Sequence, residues 1–317
     1  MGRLVDGQWQ DQWYDTTKTK GEFIREQSQF RNWVTADGQP GPTGQGGFTA
    51  ESGRYHLYVS YACPWAHRTL IFRTLKNLTS HITVDVVHPH MLHSGWMFSP
   101  DDPTLQDSLF HANYLYEIYL RIAPKMTGRV TVPILWDKQQ NTIVSNESAD
   151  IIRMFNTAFN GITGNTLDYY PHPLREEIDS TNQFVYDNIN NGVYRCGFAT
   201  TQEAYNNAYD RLFAALDTLE ARLQNQPYLI HNVLTEADWR LFTTLIRFDV
   251  VYFGHFKCNR QRIRDFPQLW DYLKRLYHMP GIQETVHFDH IKEHYYFSHT
   301  TLNPTQIVPK GPLIDLN

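Results

Sequence analysis

Cysteine is scarce in this sequence. The 317 residues include three cysteines, Cys63, Cys196 and Cys258. An odd, sparse count without framework spacing argues against a disulfide-stapled secreted fold and predicts a reducing, cytoplasmic compartment. No apolar run approaches the length of a membrane span, and the first residues lack the apolar segment of a signal peptide. We therefore expect no membrane partner.

Positive charge is in short supply as well. Lys and Arg total 28 against 33 Asp and Glu, which gives a formal net charge of −5. This balance argues against nucleic acid as a partner. The length and the apolar content allow a sizeable core, because 317 residues with 41% hydrophobic side chains are enough for two domains.

The most informative motif is Ala62-Cys63-Pro64-Trp65-Ala66-His67-Arg68, which follows a β-rich run and opens a helical pattern. Proline is tolerated in a first helical turn, so the motif predicts Cys63 at a helix N-terminus. Unpaired amides and the helix dipole favour a thiolate there. Position 66 is alanine, so a Cys-x-x-Cys dithiol is excluded. A single reactive thiol needs its second sulfur from outside, and a soluble thiol such as glutathione is the obvious supplier.

The rest of the chain predicts an α/β domain followed by an all-α domain. Residues 1–50 are predicted to be an irregular N-terminal arm, which packs on the protein because it contains several tryptophans and other aromatic residues. Residues 51–162 show strand and helix patterns in the order βαβ-α-ββα, the thioredoxin-like arrangement. Residues 174–317 are predicted to be helical and to end in a tail over the surface.

Periodicity and chain-breaking residues give the expected element boundaries. In the α/β domain we predict strands over 55–60 and 82–87, a loop carrying Trp96, an antiparallel hairpin of 132–136 with 142–145, and helices over 64–75, 107–121 and 147–159. In the all-α domain we predict helices over 174–190, 202–224, 235–249 and 266–278. Thr235 and Asp238 predict a capping box at the start of the third of these helices.

The organisation and four motifs together resemble a cytosolic glutathione transferase of the cysteine type. The motifs are Tyr61-Ala62-Cys63-Pro64-Trp65-Ala66-His67-Arg68, Arg129-Val130-Thr131-Val132-Pro133, Ser145-Asn146-Glu147-Ser148, and Asn190-Asn191-Gly192-Val193-Tyr194 with Asn303-Pro304-Thr305. Over nearly its whole length the chain is similar to the glutathionyl-hydroquinone reductases, also called the Xi class. The resemblance implies a thioredoxin-like glutathione-binding domain, a helical C-terminal domain and a homodimer.

The resemblance also implies a glutathione site in the first domain. Its residues would be Trp96, Arg129, Val130, Thr131, Val132, Glu147 and Ser148. A cis Val132–Pro133 bond would leave the Val132 backbone open to pair with the cysteinyl part of glutathione, although the residues alone favour a trans bond. The turn at Glu147 and Ser148 would bind the γ-glutamyl carboxylate or serve as an ordinary cap.

Two further residues of this implied site have alternative interpretations. Arg129 would pair with the glycyl carboxylate of glutathione or remain a solvated surface arginine. Trp96 would form a ligand wall or pack in the core.

The catalytic residues that the resemblance implies are Cys63, Tyr194, Tyr252 and Tyr295. A phenol can donate a proton to a leaving group or hydrogen-bond a thiolate. The implied reaction converts S-glutathionyl-hydroquinones to hydroquinones through a mixed disulfide between Cys63 and glutathione, with glutathione as co-substrate and glutathione disulfide as product. The alternatives are an omega-like thiol transferase or dehydroascorbate reductase, and a non-catalytic glutathione-binding scaffold.

The remaining candidates point to structure. Two histidine groups, at positions 88, 90 and 93 and at positions 287, 290 and 294, lack neighbouring ligands at metal-binding spacing, so no metal cofactor is expected. Cys196 lies two residues after Tyr194 but is predicted to be a small packing residue.

Overall fold

The structure, a computed structural model, describes residues 2–316. These residues form two compact units. The first unit contains residues 2–13 together with Glu26–Asp168, and the second contains Tyr14–Arg25 together with residues 169–316. The predicted N-terminal arm, residues 1–50, is thus divided between the two units. The sequence places domain boundaries at residues 50, 162 and 174, and these boundaries stay predictions.

Nine strands are described in the first unit. They are β1 (Arg3–Val5), β2 (Gln8–Gln10), β3 (Tyr55–Val59), β4 (Thr83–Val86), β5 (Met91–Leu92), β6 (Gly95–Trp96), β7 (Gly128–Arg129), β8 (Ile134–Asp137) and β9 (Thr142–Ser145). The central sheet has the order β4-β3-β8-β9, in which β3 is parallel to β4 and antiparallel to β8. Every residue of β3 is buried, as expected of a strand covered on both faces. The predicted β8–β9 hairpin is confirmed.

The helices of the first unit are α1 (Pro64–Leu75), α2 (Leu115–Ile122), α3 (Ser148–Thr157) and α4 (Asn160–Thr163). With the mixed sheet they give the predicted thioredoxin-like arrangement. The helix predicted over 107–121 is wrong before Leu115. The Asp107 carboxylate accepts hydrogen bonds from the Leu109 and Ala112 amides and from the Tyr58 hydroxyl. These bonds tie the segment to β3 in a loop, because an aspartate can offer the backbone an alternative to the helix.

The N-terminal arm is more regular than the sequence suggests. Residues 3–10 form the hairpin β1–β2, and β1 also pairs with β7. The missed signal is the Asp6-Gly7 turn, in which both residues have positive φ, as a two-residue type I′ hairpin requires. The predicted packing of the arm is confirmed, since Trp9 stacks on Tyr116 with ring centroids 5.2 Å apart.

The second unit is helical, as predicted. Its helices are α5 (Arg175–Val185), α6 (Gly192–Phe198), α7 (Gln202–Leu223), α8 (Glu236–Arg247), α9 (Pro267–Tyr277) and α10 (Phe288–Lys292). Wide π-helical turns continue α5, α8 and α10 over Tyr186–Asn190, Phe248–Tyr252 and Glu293–Phe297. Within residues 2–316, no helix is both long and apolar enough to cross a membrane.

Two helices of the second unit, α6 and α10, were not among the predicted ones. Helix α6 escaped prediction because glycines at both ends of a short helix mask its pattern. Gly197 is needed there, since a Cβ would lie 2.3 Å from the Phe256 ring. The predicted C-terminal tail contains α10 and its π-helical turn, which form because Ile291 and Tyr295 are buried on one side.

The predicted capping box of α8 is confirmed. The buried Asp238 carboxylate accepts hydrogen bonds from the Thr235 and Leu229 amides, each at 2.8 Å, and from the Tyr272 hydroxyl at 3.0 Å. Burial raises the pKa of Asp238 from 3.8 to about 6, and the hydrogen bonds partly oppose that rise. The carboxyl therefore links the stability of this unit to pH.

Asp238→Asn should flatten the pH dependence of unfolding. A carboxyl with a raised folded-state pKa contributes stability that is fully present below its unfolded pKa of 3.8 and lost as pH rises through about 6. Between about pH 4.5 and pH 7 this group alone should lower the free energy of unfolding by roughly 2 kcal/mol. Urea denaturation of both proteins at the two pH values measures the difference, and parallel pH dependences would contradict the assignment.

Candidate active site

Cys63 precedes the first residue of α1, as predicted. Its backbone is extended, Pro64 occupies the first helical position, and the Ala66 amide lies 3.5 Å from the sulfur. The thiol is half-buried, and it also lies 3.7 Å from the Val132 carbonyl oxygen. An amide directed at sulfur from a helix N-terminus favours the thiolate form. The geometry can therefore support a nucleophilic sulfur.

The segment 129–133 and the segment 145–148 lie together in the first unit. The bond between Val132 and Pro133 is cis, as the resemblance implies. The Tyr119 hydroxyl donates to the Thr131 carbonyl at 2.8 Å and accepts from the Asn146 side-chain amide at 3.1 Å. Tyr119 is fully buried and was missed by the sequence analysis. Its place on the amphipathic α2 is the one signal that it faces the core.

Glu147 and Ser148 form the start of α3. Glu147 is the residue before the helix, and its carboxylate accepts from the Ala149 amide and from the Ser28 hydroxyl, each at 3.0 Å. Ser148 is buried in the first turn. The capping role is therefore observed, and the γ-glutamyl role stays a prediction.

Arg129 and Trp96 are more enclosed than a surface position would be. Arg129 in β7 binds the Glu26 carboxylate at 3.2 Å and the Gln12 carbonyl at 2.5 Å. The alternative of a solvated surface arginine is wrong, since its side chain is 9% exposed. Trp96 lies in the β5–β6 hairpin, not in a loop, and is buried. Val130 and Val132 are buried as well. Binding roles for these residues stay predictions.

The three tyrosines come together in the second unit. The Tyr194 and Tyr295 hydroxyl oxygens are 2.5 Å apart, and the Tyr252 and Tyr295 hydroxyl oxygens are 3.0 Å apart. Tyr295 is thus the centre of a chain of hydrogen bonds, which we call the tyrosine triad. Tyr252 and Tyr295 are buried, and Tyr194 is half-buried. Burial raises the pKa of Tyr252 and of Tyr295 well above its usual value, so both phenols keep their protons at neutral pH.

The wide turns of the second unit place this triad. Tyr252 is the last residue of the π-helical turn after α8, and Tyr295 lies within the turn after α10. Tyr194 is in α6, just after the turn that follows α5. Such turns are rare and are frequent at functional sites.

The remaining candidates of the sequence are Cys196, Cys258 and the two histidine groups. Cys196 is buried, as predicted, and so is Cys258. Burial raises the pKa of the Cys258 thiol well above its usual value, and the neighbouring Cys196 adds to the rise. Over the described part of the chain, no group of three or more His, Cys, Asp or Glu side chains is arranged to hold a metal ion.

Two family models match the chain. Residues 62–158 match "Glutathione S-transferase, N-terminal domain", and residues 202–275 match "Glutathione S-transferase, C-terminal domain". The matches agree with an α/β unit that carries Cys63 and a helical unit that carries the tyrosine triad. The class of protein is therefore that of the glutathione S-transferases.

Full-length relatives narrow the class. Glutathionyl-hydroquinone reductase YqjG of Escherichia coli (strain K12) is 57% identical over 100% of this chain and 97% of its own. Glutathionyl-hydroquinone reductase PcpF of Sphingobium chlorophenolicum is 50% identical over 98% of this chain and 96% of its own.

Solved structures agree with these relatives. The glutathione-bound structure of YqjG has a TM-score of 0.92 at 54% identity and covers 99% of this chain and 97% of that chain. A Xi class GST from Natrialba magadii has a TM-score of 0.90 at 48% identity and covers 100% and 94% of the two chains. The chain belongs to the Xi-class glutathione transferases, the family of the glutathionyl-hydroquinone reductases.

Proposed function

We propose that the protein is a glutathione-dependent reductase that converts S-glutathionyl-hydroquinones to hydroquinones and releases glutathione disulfide. The observation that carries the proposal is the half-buried Cys63 thiol before α1, with the Ala66 amide directed at its sulfur, in a chain of the reductase family. Cys63 reacts as a thiolate, because the helix N-terminus stabilises negative charge on sulfur.

In the first step the Cys63 thiolate attacks the glutathionyl sulfur of the conjugate. A sulfur–sulfur bond forms between Cys63 and glutathione, and the bond from sulfur to the ring carbon breaks. The electron pair passes to the ring carbon, which takes a proton from the Tyr194 hydroxyl. The two sulfurs are thereby oxidised and the ring is reduced, so the hydroquinone leaves. The hydroxyls of Tyr295 and Tyr252 stabilise the Tyr194 phenolate through the triad.

In the second step a free glutathione resolves the mixed disulfide. Its thiol proton restores the Tyr194 hydroxyl by way of solvent, and its thiolate attacks the glutathionyl sulfur bound to Cys63. Glutathione disulfide leaves and the Cys63 thiolate returns. One conjugate and one glutathione give one hydroquinone and one glutathione disulfide, so the balance closes with glutathione as co-substrate.

We assign glutathione binding to the first unit. The Val132 backbone pairs with the cysteinyl part as a short strand would, with Val130 and Thr131 beside it. The α3 start at Glu147 and Ser148 receives the γ-glutamyl group. Trp96 walls the ligand, and Arg129 takes the glycyl carboxylate by exchanging its bond to Glu26.

The direct test is mass spectrometry of the protein after incubation with a glutathionyl-hydroquinone and no free glutathione. The expected result is one glutathionyl group on Cys63 and one equivalent of released hydroquinone. Peptide mapping uses Cys196 and Cys258 as internal controls, because both thiols are buried. Hydroquinone release without an adduct on Cys63 would contradict the mechanism.

Tyr194→Phe should slow hydroquinone release in a single turnover by about 10²- to 10³-fold, the usual contribution of a general acid. Exchange with a small mixed disulfide should change little, because no carbon is protonated. Tyr205→Phe is the matched control, since that hydroxyl donates to the Lys257 carbonyl outside the triad. Equal losses in both reactions would indicate a structural role for Tyr194.

The same assays separate the alternatives. An omega-like thiol transferase or dehydroascorbate reductase would turn over the small mixed disulfide or dehydroascorbate faster than the quinol conjugate. A non-catalytic scaffold would bind glutathione and form no adduct on Cys63.

We also infer a homodimer and a cytoplasmic location. Family membership supports the dimer, and the sparse, odd count of three cysteines suits a reducing compartment. Light scattering of the purified protein and fractionation of cells that express it test the two inferences, and a monomer or an exported protein would contradict them.

A further inference from the structure

Residues Tyr14–Arg25 form a segment that belongs to the second unit, and we call it the N-terminal strap. The Thr16 and Thr200 hydroxyls are 2.9 Å apart, and the Thr201 hydroxyl donates to the Lys20 carbonyl at 3.0 Å. Gly21 has a φ of +90° and approaches Thr201 so closely that a Cβ would lie 2.5 Å from its hydroxyl oxygen. The strap is therefore fixed beside α6 and the start of α7.

The strap ends with a cation on the face of the half-buried member of the tyrosine triad. The Arg25 guanidinium carbon lies 4.9 Å from the Tyr194 ring centroid. Arg25 Nε donates to the Asn191 side-chain oxygen at 3.3 Å, and Asn191 is itself buried. Phe23 stacks on the Tyr194 ring from the same strap. The guanidinium is thus held in one place over the phenol ring.

Other titratable groups also face the triad. Tyr252 and Tyr295 are neutral phenols, as argued above. The buried Arg247 guanidinium partly opposes the rise in pKa that burial causes in both phenols, and it donates to the Thr243 carbonyl at 2.8 Å. His294 and His299 pack edge-on against the Tyr295 ring, and burial lowers the pKa of His299 well below its usual value. Arg25 is half-buried, and its guanidinium lies over the face of the Tyr194 ring.

We propose that Arg25 is a positioning residue for proton donation by Tyr194, an inference that rests on the proposed function. The guanidinium holds positive charge over the ring while the Tyr194 proton passes to the leaving ring carbon. The attraction between a cation and a ring that carries negative charge exceeds its attraction to a neutral ring. The interaction therefore strengthens in the transition state, which is the requirement for faster chemistry.

Arg25→Gln should slow hydroquinone release in a single turnover by about 10- to 100-fold, a part of what the general acid supplies. Arg25→Lys, which keeps the charge, should recover most of the rate. The high-pH limb of the Arg25→Gln profile should move to higher pH, because a phenol that loses a nearby cation ionises less readily. A rate loss that lysine does not rescue, with an unmoved pH profile, would mean that Arg25 only packs.

A double-mutant cycle isolates the path through Tyr194. In a Tyr194→Phe background, Arg25→Gln should slow hydroquinone release by less than about 2-fold, because the proton donor is already absent. A full 10-fold loss in that background would overturn the proposal. Arg175→Gln is the matched control, since its guanidinium also lies 4.9 Å from a tyrosine ring centroid, that of Tyr170. We expect its rate to equal that of the unmodified protein.

Failure of this inference is distinguishable from failure of the proposed function. If the unmodified protein releases no hydroquinone from the conjugate, the proposed reductase activity is wrong. If it does release hydroquinone and Arg25→Gln matches it in rate and pH profile, the activity stands and the role of Arg25 is wrong.

Discussion

Cys63→Ser should lower the rate of reductase turnover by at least about 10³-fold, which is the usual effect of removing a covalent nucleophile. The proposed reaction stores glutathione as a disulfide on Cys63, and a serine oxygen cannot form that bond. The loss should fall on kcat, because the proposed glutathione contacts lie on Val132, Glu147 and their neighbours. Steady-state kinetics with a glutathionyl-hydroquinone measure the loss.

Two measurements show whether that loss is chemical. Calorimetric titration should give Cys63→Ser a glutathione affinity within a few-fold of the unmodified protein, since the change is one atom of a half-buried side chain. Cys258→Ala removes a buried thiol of the second unit and should keep turnover within a few-fold. More than a tenth of normal kcat in Cys63→Ser would rule out the mixed disulfide as an obligatory intermediate.

Asp137→Ala should destabilise the protein by about 3–5 kcal/mol, the cost of breaking a buried ion pair by removing one partner. Arg54 Nε and Nη2 donate to Asp137 Oδ2 at 3.0 and 2.6 Å, and both side chains are almost fully buried. Alanine would leave the Arg54 charge in the core without this carboxylate. It would also remove the acceptor for the backbone amides of Gln139 and Gln140 in the β8–β9 turn. Urea denaturation measures the loss.

Two variants separate the ion pair from the turn. Asp137→Asn keeps an oxygen for the turn amides and removes the charge. We therefore expect it to destabilise the protein, but by less than Asp137→Ala. Glu51→Ala removes the exposed partner of the same guanidinium, at 2.7 Å, and should cost far less because solvent screens that pair. Equal losses for Glu51→Ala and Asp137→Ala would contradict the importance of burial.

The sequence predicts those parts of the fold that local chemistry determines. The proline after Cys63 sets the start of α1, and the Thr235–Asp238 box sets the start of α8, because each signal acts within one helical turn. The loop at 107–114 differs from its predicted helix because Asp107 bonds to Tyr58, a partner 49 residues away. Contacts of that range leave no periodic trace in the sequence.

The residues of the candidate site also differ in whether local sequence predicts them. Cys63 could be found from its own neighbours, whereas Tyr194, Tyr252 and Tyr295 came from family resemblance alone. Their hydroxyls meet because three separate helices converge, and no spacing in the chain encodes that meeting. Tyr119 and Arg25 were missed for the same reason, since each acts through a partner distant in sequence.

The π-helical turns have a consequence for comparing members of this family. Each turn inserts extra backbone into a helix, and deletion of one residue there would rotate everything beyond it by about 100°. A homologue can have tyrosine at both positions, Tyr252 and Tyr295, and yet be one residue shorter in either turn. The phenol beyond the shortened turn would then point in a different direction. A change of length in either turn would therefore misplace these phenols even where both tyrosines are present.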